Sequence, residues 1–296
     1  MKASSQGIPL RILTHNIRYA TTSPFQGERP WEERAPGLLN ELLYNTHNQD
    51  AFICLQEVLH NQLEDVIFSL NAHHSCASTA KPGPPNWAYI GVGRDDGKHA
   101  GEYSPIFYRP SVWKLRQWET VWLSETPTIP SKSWDAASIR IVTIGVFTHN
   151  ISRQTGLTPG FEAAHIILRK IHEYQNGRFG RILSGVFLSG DLNSQEDQEA
   201  YTVLTSTDSP LLDSAKLVNS SKHHGNETTW SGFGYEGLEP GRIDYILLGP
   251  RAKYVTTEGQ DQSWDMEGYA VLANRFDDGV YNSDHRAVVV DAMLRS

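Results

Sequence analysis

The chain has 296 residues, 39% of them hydrophobic and 20% charged, and a formal net charge of −8 at neutral pH. This composition excludes wholesale disorder, and the acidic balance excludes a general duplex-coating role, which rests on many Lys and Arg contacts to phosphate. Met1 to Pro9 holds no apolar stretch resembling a signal peptide, and nowhere do about 18 apolar residues run together, so the chain reads as intracellular and non-membrane, with no protein partner evident.

In chain order, short apolar or alternating runs predict strands at 12–17, 51–55, 88–92, 105–108, 141–147, 186–188, 243–248 and 287–290. Helical spacing follows Trp31 at Leu38, Leu39, Leu42 and Leu43, and recurs at Leu63, Val66, Ile67 and Leu70 and at Phe161, Ala164, Ile167, Leu168 and Ile171. Residues 259–278 read as a long surface excursion, and Gly91 to Gly97 as a turn-rich connection near a site mouth. Of the two cysteines, Cys54 lies in an apolar run and reads as a small buried hydrophobe. The order of elements predicts an α+β sandwich of two packed sheets with helices outside. A flexible terminus at 1–9 and a single domain at 10–296 are expected, since β-rich enzymes of this size commonly build one core.

The chemistry lies where the apolar runs end. Asn16 ends the first and Glu57 the second; Asp191 and Asn193 follow Leu188-Ser189-Gly190; Asp244 follows Ile243; and Ser283-Asp284-His285 precedes the last strand. Singly these residues read as solvated strand ends, turns or helix caps. Together they place several carboxylates at the ends of buried strands, which is costly unless something pairs with them. A hard cation with oxygen ligands meets that need.

The segments Thr14-His15-Asn16-Ile17-Arg18, Leu55-Gln56-Glu57-Val58, Gly101-Glu102-Tyr103-Ser104-Pro105, Ser189-Gly190-Asp191-Leu192-Asn193, Gly241-Arg242-Ile243-Asp244-Tyr245 and Ser283-Asp284-His285 together resemble the endonuclease/exonuclease/phosphatase superfamily. That family includes pancreatic-type deoxyribonucleases, abasic-site endonucleases, deadenylases and inositol polyphosphate phosphatases. The resemblance spans almost the whole chain and implies a four-layer α/β/β/α sandwich that hydrolyses phosphoesters with Mg²⁺ or Mn²⁺. It implies that Glu57, helped by Asn16, holds the metal, with Asp284 near the same ion or a second one. Asp191, oriented by Asn193, would position and deprotonate water; Asp244 would keep His285 protonated; Arg140 matches the family's phosphate-side arginine.

One element departs from that pattern. Family members usually carry a further strand before the helix that here begins near Phe161; its histidine, or a tyrosine in some branches, lies by the leaving group and in the deoxyribonuclease branch pairs with the acid matching Glu102. Residues 150–160 do not read as a buried strand. The reading therefore favours a chain lacking this strand, through splicing, gene-model error or divergence, over one in which His149 takes the role. In the favoured reading Glu102 lacks its usual partner.

The substrate is less legible than the reaction. Trp230, Phe233 and Tyr235 offer either a stacking surface for a base or sugar, or ordinary packing. A 3′-5′ exonuclease on single-stranded nucleic acid, a small-molecule (sugar or inositol) phosphatase, and a weakly active or inactive family member all follow from the motifs.

Overall fold

A computed structural model describes residues 7–47, 49–72, 85–133, 136–152, 154–158, 164–250 and 263–295. Its strands are β1 (Ile8–Asn16), β2 (Ala51–Gln56), β3 (Ala88–Ile90), β4 (Ile106–Tyr108), β5 (Trp113–Trp122), β6 (Ile141–His149), β7 (Thr155–Thr158), β8 (Leu183–Asp191), β9 (Leu212–Asp213), β10 (His223–Gly225), β11 (Asp244–Gly249), β12 (Trp264–Val271) and β13 (Val288–Leu294). The helices are α1 (Trp31–Thr46), α2 (His60–Ala72), α3 (Ala164–Asn176), α4 (Glu199–Thr205) and α5 (Ser214–Leu217). The described strands form a seven-stranded sheet, β10-β12-β13-β1-β2-β4-β3, and a six-stranded sheet, β5-β6-β7-β8-β11-β9.

Side chains alternate across a strand, so each central strand supplies two cores. From β1, Leu10 and Ile12 join the layer between the sheets, whereas Leu13 packs outward with Leu38 and Leu42 of α1 and Val66 of α2. From β8, Phe187 points inward while Val186 and Leu188 pack against Ile167 and Ile171 of α3. Three apolar layers between four structural ones give the α/β/β/α sandwich that the motifs imply. Gly145 shows how tightly the inner layer is filled: a Cβ there would lie 2.4 Å from the Phe147 ring and 2.7 Å from Ile90 Cδ1.

Three sequence readings need correction. The excursion expected at 259–278 contains β12, paired along its length with β13. Strand β5 was missed, although its Trp113, Leu115, Gln117 and Lys114, Arg116 alternation is that of an edge strand, where charge discourages further pairing. The strand expected to be missing is present. Strand β7 pairs antiparallel with β6 and parallel with β8, and its Leu157 is fully buried. Phe161 lies outside the described residues.

Cys54, on β2, faces the inner layer, and burial pushes its thiol up to about 12 despite a hydrogen bond with Ser189. Native protein is expected to resist alkylation at Cys54 near pH 8, because almost no thiolate forms and none is reachable. Mass spectrometry after iodoacetamide, with and without denaturant, checks this; labelling of Cys54 in the native chain would contradict the burial.

Candidate active site

The strand parity that builds the cores also aims the site. Asn16 shares its face with Leu10 and Ile12, Asp191 with Phe187, and Asp244 with Ile246 and Leu248, so all three side chains emerge at one end of the inner layer. Asp244 lies directly opposite Asp191 in the β8–β11 register. His15, one residue from Asn16, points the other way, where its Nδ1 lies 3.1 Å from Glu41 of α1.

Asn16 links the two sheets. Its Nδ2 donates to Glu57 Oε1 and to Asp191 Oδ2, 3.1 Å each, while its Oδ1 accepts from the Arg18 amide at 3.0 Å. Asp191 also accepts the Asn193 backbone N–H at 2.7 Å and the Asn193 Nδ2 at 3.2 Å. Arg18, Glu57 and Asn193 have φ of 57°, 56° and 46°. Left-handed backbone is costly for residues with a Cβ, and its concentration here is the kind of strain that surrounding structure holds at functional sites.

Opposite Asn16, His285 Nδ1 lies 2.9 Å from Asp244 Oδ2 and its Nε2 lies 3.9 Å from Asp191 Oδ2. Burial would depress this imidazole, but Asp244 and then Asp191 outweigh it and hold His285 well above the ordinary histidine value. Asp191 moves up as well, through burial first and the Asp244 carboxylate second. Asp284 is half-buried on the same turn: Ser283 Oγ donates to its Oδ1 at 3.4 Å and to the Asn16 carbonyl at 2.6 Å. Its charge acts on Arg18, which stands 3.9 Å from Glu57 Oε2.

The side chains offer two places for a cation. Ligand atoms of Asp191, Asp244 and His285 lie within 4.8 Å of one another, but a protonated imidazole has no lone pair to give. The Glu57 side suits a hard ion better. Glu57 Oε2 is buried without a hydrogen-bond partner, and a second carboxylate, Asp191, is held beside it through Asn16. An all-oxygen donor set with an orphaned carboxylate oxygen fits Mg²⁺ or Mn²⁺.

Next to these groups lies a cavity of about 40 Å³ lined by Asn16, Glu57, Asp191, Arg94, Glu102 and Arg140 among others. Glu102 is paired here with an arginine rather than with a histidine. Arg94 Nη1 donates to Glu102 Oε2 at 2.6 Å. Burial, and then the Glu57 charge, push the Glu102 carboxyl up to about 7, with Arg94 and Arg140 opposing. His149 is no substitute for the family's histidine. It ends β6, eight residues and about 26 Å from Ile141 at the cavity, and it packs on Trp113. Sequence reasoning missed Arg94, although its bracketing by Gly93 and Gly101-Glu102 in one turn-rich segment was visible.

The proposed stacking surface is not continuous. Phe233 is buried and meets Tyr281 edge-on, Trp230 is half-buried in bridges to Gly241 and His285, and the exposed Tyr235 packs against Phe25.

No family model matches the chain, and neither does any curated protein sequence. Solved structures do. An endonuclease/exonuclease/phosphatase from Bacteroides vulgatus is 26% identical, with a TM-score of 0.77 over 97% of this chain and 99% of that one. A mannosyl-6-phosphatase from Bacteroides thetaiotaomicron is 27% identical, with a TM-score of 0.75 over 96% and 100%. The D. rerio TDP2 structure, complexed with a single-strand DNA product, shares the fold at 18% identity, with a TM-score of 0.63 over 96% and 98%.

Proposed function

Because this chain belongs to the endonuclease/exonuclease/phosphatase superfamily, we propose that it is a Mg²⁺- or Mn²⁺-dependent phosphoester hydrolase that prefers phosphomonoesters of small polar alcohols, such as sugar phosphates. The observation carrying the hydrolase reading is the Glu57–Asn16–Asp191 bridge facing the Asp244–His285 pair.

Glu57, with Asn16 and Asp284 beside it, would hold the metal, which when bound would supply Lewis-acid stabilisation of charge on phosphoryl oxygens. Asp191, fixed by Asn193 and Asn16, orients water and accepts its proton. Asp244 keeps His285 cationic, so the imidazolium Nε2 donates to a phosphoryl oxygen as negative charge grows there. Arg140 contributes a guanidinium on the phosphate side.

The preference for small monoesters draws support from three directions. A guanidinium pair lines the small cavity, the aromatic trio makes no stacking platform, and the mannosyl-6-phosphatase is nearer in sequence than TDP2. Phosphate release from mannose 6-phosphate and cleavage of single-stranded DNA and RNA oligonucleotides, compared with EDTA and with added Mg²⁺ or Mn²⁺, test it. Metal-restored turnover of the sugar phosphate is expected to exceed that of oligonucleotides by at least about tenfold in kcat/KM. Faster oligonucleotide cleavage would replace the monoester reading by the exonuclease one, and activity indifferent to EDTA would defeat both.

A further inference from the structure

Arg94 is unexplained by the machinery described so far, and its surroundings hold it unusually firmly. Its backbone N–H donates to the Glu102 carbonyl at 3.1 Å and its own carbonyl accepts Trp122 Nε1 at 2.7 Å. The loop between Arg94 and Glu102 is closed by Asp95 N to Ala100 O at 3.0 Å and by Asp96 Oδ1, which accepts from the Lys98 and Ala100 amides. Gly93 permits this closure, since a Cβ there would lie 2.3 Å from the Ala100 carbonyl oxygen. A surface arginine with no task does not need such bracing.

The guanidinium itself is only partly used. Nη1 is taken by Glu102, whereas Nε is buried with no hydrogen-bond partner; its nearest acid, Asp95, is 3.7 Å away, beyond hydrogen-bond reach. A buried N–H without an acceptor is costly unless a ligand supplies one. The ligand space is the 40 Å³ cavity it shares with Asn16, Glu57, Asp191 and Arg140, which exceeds what one water-sized group requires.

We propose that Arg94, braced by Glu102, is a second phosphate-binding guanidinium that recognises the extra negative charge of a terminal phosphomonoester. This rests on the hydrolase reading above and sharpens its substrate class. A monoester brings two negative charges toward a cavity that already contains Glu57, Asp191 and Glu102, where a diester brings one. One arginine in addition to Arg140 offsets that difference, and its orphaned Nε supplies a donor for an oxygen that a diester has esterified. Glu102 is the positioning residue that fixes the fork.

The test uses p-nitrophenyl phosphate and methyl p-nitrophenyl phosphate, which share a leaving group and differ in that one oxygen. Arg94→Ala is expected to lower kcat/KM for the monoester by about 10²-fold and for the diester by less than about threefold, with Arg94→Lys between. Calorimetric binding of inorganic phosphate to Mg²⁺-loaded protein gives a readout independent of turnover, and should weaken by at least about tenfold in Arg94→Ala. Thermal melting verifies that the variants fold. Equal losses on both esters, or phosphate binding unchanged in Arg94→Ala, would overturn the proposal. Failure of the hydrolase reading has a different signature: wild type inactive on both esters with metal present, while phosphate binding still answers the question about Arg94.

Discussion

Asp191→Asn is expected to lower metal-supported hydrolysis by about 10²–10⁴-fold while leaving the fold intact. The substitution preserves shape but removes the basic oxygen, and it places an amide where Asn16 Nδ2 and Asn193 Nδ2 both donate. The remaining groups still bind phosphate, so kcat should fall far more than KM rises. Steady-state kinetics with saturating Mg²⁺ check this, and unchanged turnover would remove Asp191 from the chemistry.

Electrostatics of the same cluster lead to a pH dependence. Asp191 is raised by burial and Asp244, Glu102 is raised from 4.5 to about 7 by burial and Glu57, and His285 is held well above its ordinary value against its burial. Each of these groups keeps its proton in the folded chain at pH values where the unfolded chain has released it. Their contribution to stability is therefore full at the acid end and lost as pH rises, for Glu102 between about 4.5 and about 7. Metal-free protein is expected to melt lower near pH 8 than near pH 5.5, with Mg²⁺ recovering much of the difference by binding the folded state alone. Melting in EDTA that stays flat or rises over this interval would contradict the arrangement of buried carboxylates.

How much of this was legible in the chain depends on how local each signal is. Asn16, Glu57, Asp191 and Asp244 could be read because each interrupts an apolar strand, and strand parity then dictates that Asn16 and His15 face opposite ways. Strand β7 was hidden because four residues with two threonines and one glycine carry almost no periodic signal; pairing with β6 and β8 makes it a strand. Strand β12 contains Asp265, Glu267 and Gly268, which look like loop chemistry until β13 supplies its partner. The Arg94–Glu102 pair needed the loop closure to be known, since eight residues of separation say nothing about contact.

Arg34 is the other residue whose role the sequence concealed, and its replacement should have the largest effect on stability. In Trp31-Glu32-Glu33-Arg34 it resembles an exposed charge near a helix start, yet it is 1% exposed. Its Nη1 donates to the carbonyls of Ile17 and Asn282 at 2.9 and 2.8 Å, Nη2 to that of Arg18 at 3.0 Å and Nε to that of Arg29 at 3.0 Å, with Glu28 at 4.0 Å. One side chain thus joins the chain just after Asn16 to the chain just before Ser283, the two segments that carry the site. Arg34→Met removes every donor to these buried carbonyls and leaves Glu28 with only Arg18 and the Phe25 amide, a loss of about 3–5 kcal/mol. Against a typical total of about 5–15 kcal/mol this brings the protein close to unfolding. Arg34→Lys recovers little, because one ammonium cannot reach four carbonyls arranged for a planar fork. Urea denaturation should show the loss as a shift in midpoint, accompanied by lower kcat in whatever fraction stays folded. A Met variant within about 1 kcal/mol of wild type would mean that the two site segments are held together by other contacts, with the Ser283 Oγ to Asn16 carbonyl bond the first to examine.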